Sequence, residues 1–153
     1  MQMKTLARSL ALAVALLAAC GTDEGTAQSP TGRCDLCGMR VDPSSGWRSG
    51  GQGASGELRF DTPKCLFRYH HQRGGVRDAW VIEYYTQERR PARELFYVLG
   101  SDVQGPMGRD LVPIATREAA ERFSRDHHGT RVLSFDEVSA AVIDELFRPR
   151  AHP

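Results

Sequence analysis

Phe60-Asp61-Thr62-Pro63-Lys64-Cys65-Leu66-Phe67-Arg68-Tyr69-His70-His71-Gln72-Arg73-Gly74-Gly75 reads as strand, helix and stop in sequence. Leu58 and Phe60 alternate as on a half-buried strand. Thr62 stands at the cap position and Pro63 at the first helical position, where a missing amide costs nothing. Leu66, Tyr69 and Cys65 fall on the buried face, the helix reaches about Gln72, and Gly74-Gly75 ends it. Trp80, Ile82 and Tyr84 then alternate as a strand. The pattern recurs downstream: Ile114-Ala115-Thr116, a helix bearing Ala119, Ala120 and Phe123, then His127-His128-Gly129 and a strand at Arg131–Leu133. A repeat of this kind decides the fold before any single element does.

Adding strands at Arg40-Val41 and at Leu95–Leu99 makes each half β-β-α-β. The expected class is α+β, two similar small ββαβ units with helices packed on sheets, followed by a C-terminal helix. The first unit spans 34–93, the second with its helix 94–148, and 149–153 is a tail. Val112–Ala115 is a short strand. Ser134 and Glu137 make a capping box for the last helix, on which Val138, Val142 and Leu146 share a face before Pro149 stops it. Ser44–Gly56, rich in glycine and serine, reads as a mobile loop, and Gln87–Arg93 as a charged link.

The N-terminus carries Lys4 and Arg8, an apolar run from Leu10 to Ala19, and Leu17-Ala18-Ala19-Cys20. The run is too short for a bilayer span, which needs about 20 residues, and small residues before a cysteine mark a lipoprotein signal. Residues 1–19 are the expected signal and Cys20 the acylated residue, whose chains exceed the two signals that stable anchoring needs. Residues 20–33 form a polar tether of about 20 Å root-mean-square span. These features place the body on the periplasmic face of a bacterial membrane. Gly21 after the cysteine specifies no inner-membrane retention, so the outer membrane is favoured.

Removing residues 1–19 takes two of the 20 basic residues and leaves the 19 acidic ones. Nothing in that balance attracts nucleic acid. Of four cysteines, three remain once Cys20 is acylated. An odd number in an oxidising compartment leaves one thiol unpaired or on a metal.

Cys34-Asp35-Leu36-Cys37-Gly38-Met39 holds two thiols and a thioether in six residues. Thiolate with thioether selects Cu(I) over harder ions. With Gly38 extended, Cys37 and Met39 project from one face. Met107, on the Gly105-Pro106-Met107-Gly108 loop, is the candidate third sulfur. Cys34 supplies another thiolate or pairs with Cys37 as a disulfide. Cys65, in the first turn of a helix beside Lys64, is either a thiol of lowered pKa or a buried structural one. The histidine pairs end helices, where cationic rings meet carbonyls; His70 is also an auxiliary ligand candidate. Asp61, Asp102, Asp110 and Asp136 lie near turns and form no catalytic pair.

Two other readings use the same residues. Cys34-x-x-Cys37 is the motif of a thiol-disulfide oxidoreductase, but here it leads toward a strand instead of opening a helix. Zinc with Cys34, Cys37, Cys65 and a histidine, either His70 or His71, would make a metal-stabilised binding domain. That leaves Met39 and Met107 without a part.

Five motifs, taken in order, carry a resemblance: Leu17-Ala18-Ala19-Cys20; Cys34 to Met39; Phe60 to Cys65; Tyr97-Val98-Leu99-Gly100-Ser101; and Gly105 to Gly108. Together they resemble the NosL family of lipoproteins that assist nitrous oxide reductase assembly. The resemblance implies a non-enzymatic Cu(I) metallochaperone that passes copper toward the catalytic copper-sulfide centre of that reductase, through membrane-bound assembly proteins. It also implies paired ββαβ units like those of organomercurial lyase. Carried onto this chain, it puts Cys37, Met39 and Met107 at the metal, with Cys34 and Cys65 matching motif positions. The long Ser44–Gly56 loop and the short Arg148–Pro153 tail depart from the family pattern.

Overall fold

The computed structural model describes residues 32–149. The expected signal peptide, Cys20, the tether up to residue 31 and the tail from residue 150 lie outside the described residues. Within them, no helix is long and apolar enough to cross a membrane.

The helix that opens the sequence reading is α1, Pro63–Gln72, with Thr62 extended before it. It follows a hairpin of β1, Ser49–Gly53, and β2, Gly56–Phe60, and leads to β3, Arg77–Ile82. The short β4, Arg89–Pro91, completes an antiparallel sheet of order β2-β1-β3-β4. The second half repeats the scheme with β5, Phe96–Gly105, β6, Gly108–Ile114, α2, Arg117–Asp126, and β7, Arg131–Ser134. Its sheet runs β6-β5-β7. Each unit therefore sets its first strand between the other two, with the helix crossing from second strand to third, which bears out the expected fold class. A C-terminal helix, α3, spans Ala140–Phe147.

Several elements correct the sequence reading. Arg40-Val41 is not a strand; Arg40 makes only an isolated bridge with Arg33. The first strand is instead β1, inside the stretch expected to be a mobile loop, and it pairs with both β2 and β3. Glycine is a poor strand former by propensity, but here its missing side chain is what the packing uses. A Cβ on Gly50 would stand 2.8 Å from the Trp80 ring, and one on Gly51 would stand 2.4 Å from Val76 Cγ1. The expected charged link contains β4 and a 3-10 turn at Ala92–Glu94. The Ser134/Glu137 capping box is present, but it closes a 3-10 turn at Phe135–Glu137; Val138 ends that turn and Ser139 caps α3 afresh.

The β5 strand runs far past Leu99. Its pairing with β6 shifts between Leu99 and Gln104 and then resumes through Gly105 and Gly108. Met107 thus sits in a two-residue hairpin turn, with Gly108 at φ +79°. Alternation along β5 buries both faces of this sheet. Tyr97 and Leu99 face a core shared with the first sheet, α1 and α3, while Val98 faces a smaller core with Ala120 and Phe123 of α2. In the shared core the Phe67 ring meets Tyr97 edge-on at 4.9 Å. Helix α1 is therefore enclosed by both units, and its N-terminus lies where the Met107 hairpin arrives.

Candidate metal centre

Cys34 to Met39 fold as a tight turn. Cys34 N–H donates to Met39 O at 2.7 Å, Gly38 N–H donates to Cys34 O at 2.9 Å, and Gly38 has φ +76°. That left-handed conformation favours glycine. It also replaces the extended geometry by which alternation was to bring Cys37 and Met39 onto one face. The turn is sewn to β2: Asp35 N–H donates to Arg59 O at 2.9 Å, and Arg59 N–H donates to Asp35 Oδ2 at 2.7 Å. This seam sets the two thiols beside Asp61 at the end of β2 and Cys65 in the first turn of α1.

Ligand atoms of Cys34, Cys37, Asp61 and Cys65 all lie within 4.8 Å of one another. Met107 Sδ stands 3.9 Å from Cys37 Sγ and 3.9 Å from Cys65 Sγ. Three thiols, a thioether and a carboxylate therefore converge from four separate segments. Cys65 is fully buried and Cys34 nearly so, Met107 is half-buried, Cys37 is exposed, and Met39 exposes 42% of its surface at the outer end of the turn. The cluster is closed beneath and open on the side of Cys37 and Met39. His70 is not part of it: its Nδ1 accepts from Val76 N–H at 3.0 Å.

The three cysteines among the described residues, Cys34, Cys37 and Cys65, are free, and they do not ionise alike. Donation from the Cys65 thiol brings Cys34 down to about 7. The same bond, together with burial, pushes the Cys65 thiol far up, and burial raises Cys37 to about 11. Of the two expectations for Cys65, the thiol of lowered pKa does not hold and the thiol is buried, while the Lys64 ammonium is engaged on the neighbouring hairpin. Lys64 Nζ donates to Met107 O at 2.9 Å and to Arg109 O at 2.7 Å.

The cap of α1 also comes from elsewhere. Thr62 Oγ1 accepts from no amide of α1, while Asp110 Oδ1 accepts from Lys64 N–H and Leu111 N–H, each at 2.9 Å. Asp110 is fully buried, which lifts its carboxyl to about 6 against the pull of those two amides and of the Lys64 ammonium at 3.9 Å.

Asp61 is the site residue the sequence reading passed over. Its Oδ1 accepts from the Cys37 thiol at 3.6 Å, and its Oδ2 is buried with no partner. A buried carboxylate oxygen without a donor is costly, and a cation in the cluster would relieve it. The available signal was its place four residues before Cys65.

The rings of His71 and His127 find partners other than the carbonyls of their own helix ends. His71 Nε2 donates to Val138 O at 2.7 Å, and His127 Nδ1 meets Asp102 Oδ1 at 3.1 Å. Burial and the neighbouring His71 and Arg93 lower the pKa of His70. Its ring is thereby held neutral as an acceptor, which suits the bond from Val76 N–H.

The family model named NosL matches residues 26–143. The chain belongs to the NosL family. Its fold is similar to that of the copper chaperone NosL from Shewanella denitrificans, with a TM-score of 0.61, 22% identity, and coverage of 71% of this chain and 90% of that one. No curated protein sequence matches the chain. The NosL match spans the Cys34–Met39 turn, Asp61, Cys65 and Met107 together, so the whole cluster lies within the family region.

Proposed function

We propose that this NosL-family protein is a lipid-anchored Cu(I) metallochaperone that delivers copper for assembly of the catalytic copper centre of nitrous oxide reductase. The convergence of three thiols with the Met107 thioether carries the reading, because soft sulfur donors suit Cu(I). Copper is cargo here, not a resident cofactor, and the protein is a carrier, not an enzyme.

Cys37 as thiolate with Met107 and Met39 as thioethers takes the ion, with Cys65 and Cys34 beneath it. Entry releases protons from the thiols. Cys37 and Met39 occupy the exposed side, so an acceptor's sulfur or imidazole can add there and replace the carrier's ligands one at a time. Such ligand exchange needs no large conformational change. The client is the reductase together with its membrane-bound assembly proteins, and acylated Cys20 holds the carrier on the periplasmic face of the membrane, the outer membrane being favoured.

The test is an anaerobic Cu(I) titration of the purified chain against a chromogenic chelator. The Cys37→Ala and Met107→Ala variants are expected to bind at least about 10- to 100-fold more weakly, the range that even outer-shell partners of a metal command. Met39→Ala should show the smaller loss expected of a ligand at the entrance. Unchanged affinity in all three variants would remove the site assignment. In cells lacking the protein, nitrous oxide reductase should accumulate with copper missing from its catalytic centre. Full copper loading there would sink the client assignment while leaving the metal site standing.

A further inference from the structure

Lys64 is a lysine whose side chain is only 3% exposed, and its surroundings are arranged around one task. Its ammonium donates to the carbonyl of Met107 and to that of Arg109, while its own backbone N–H donates to the Asp110 carboxylate. All three bonds join the start of α1 to the β5–β6 hairpin. The Phe147 ring of α3 lies 5.5 Å from the ammonium, and Arg109 ties the hairpin to α3 through the carbonyls of Glu145 and Arg148 at 3.1 and 3.0 Å. A buried ammonium needs such partners. It has found them on the one hairpin that carries the thioether.

We infer that Lys64 is a positioning residue that fixes the Met107 sulfur in the copper cluster, so that removing its ammonium takes this thioether from the bound ion while Cys65, the next residue in the chain, stays in place. The reason is geometric. The thioether belongs to a two-residue hairpin turn that makes no covalent or sheet link to the thiols, and β5 breaks register between Leu99 and Gln104 just before it. The backbone of Met107 is held at its carbonyl, which leaves only side-chain rotation to place Sδ 3.9 Å from both Cys37 and Cys65. Charge-assisted bonds are the stronger kind. A hairpin lacking them would move by distances that break a metal–sulfur bond.

This inference rests on the copper reading above, and the experiment separates the two. Wild-type chain is first loaded with Cu(I); failure to load would count against the copper reading itself. The probe variants are Lys64→Met combined with Asp110→Asn, which leaves no unpaired buried charge, and Lys64→Gln. Each is tested alone and in a Met107→Ala background, with folding checked by circular dichroism.

Positioning predicts about a 10- to 100-fold loss of Cu(I) affinity, one fewer sulfur neighbour in the copper X-ray absorption spectrum, and no further loss when the Lys64 change is added to Met107→Ala. Independent, additive losses, or a variant that keeps the full sulfur count, would overturn it. Should neither variant fold, the wild type still answers. In 15N-labelled protein the Lys64 ammonium must stay protected from exchange on copper loading, and loss of that protection overturns the inference.

Discussion

Helices α1 and α2 occupy equivalent places in two units of the same strand order, and they begin in opposite ways. Thr116 caps α2 by accepting from Ala119 N–H at 3.2 Å, so that cap comes from its own unit. Thr62 stands at the matching position of α1 but its hydroxyl caps no amide there, and the acceptor comes from Asp110 in the other unit. Where α2 has Glu118 and Ala119, α1 has Lys64 and Cys65. The second unit caps its own helix, although Ala115 N–H just before that helix donates to Glu83 Oε1 of the first unit at 3.3 Å. The other leaves its helix start to be finished by its neighbour, and the metal cluster forms at that junction. A site assembled between units depends on their docking in a way that a site inside one unit does not.

The comparison breaks most sharply at Asp110. Asp110→Ala removes the cap of α1 and the counter-charge of the buried Lys64 ammonium, for an expected destabilisation of about 3–5 kcal/mol, read from the urea unfolding midpoint. A loss under about 1 kcal/mol would show that the junction is not what holds α1.

The two threonines give a finer test. Thr116→Val is expected to destabilise by about 1 kcal/mol because it deletes a working cap. Thr62→Val deletes no bond to an α1 amide, and the same urea curves should show a clearly smaller loss. Equal losses at both positions would erase the distinction between the helix starts.

The smallest effect sits at the helix ends. His70 accepts a bond from Val76 N–H and its pKa is lowered in the folded protein, whereas His127 pairs with Asp102. As pH falls through about 6.5 the unfolded chain takes up a proton at His70 first, so the stability tied to its neutral ring is lost toward lower pH. Unfolding free energy measured between pH 7 and pH 5 should decline less steeply in His70→Gln than in the wild type. An unchanged slope would argue against a neutral, half-buried His70.

Strong local signals were legible in the sequence. The Thr62-Pro63 start and the Gly74-Gly75 stop placed α1 at its observed bounds, and the echo at Thr116 placed α2. Weak ones were not: β1 is built on glycines whose use appears only when Trp80 and Val76 fill the space above them. The Gly38 turn was misread as extended because a single glycine permits both conformations. At the site, the converging thiols of Cys34, Cys37 and Cys65 and the thioether of Met107 were all named from the sequence. Asp61 was given no part in the site, because a lone carboxylate near a helix start is common and its partner thiol is 24 positions away.

The sequence by itself determined the kind of chemistry and the repeat: sulfur donors in short motifs, and two strand-helix-strand patterns whose caps and stops act over a few residues. Only the tertiary structure decided which donors meet, because the bonds that bring them together join distant parts of the chain. Asp35 to Arg59, Lys64 to Met107 and Lys64 to Asp110 each leave no periodic trace in the residues between them. Local propensity acts over a turn of helix or a pair of strands. The meeting of four segments at one cluster depends on how two finished units pack.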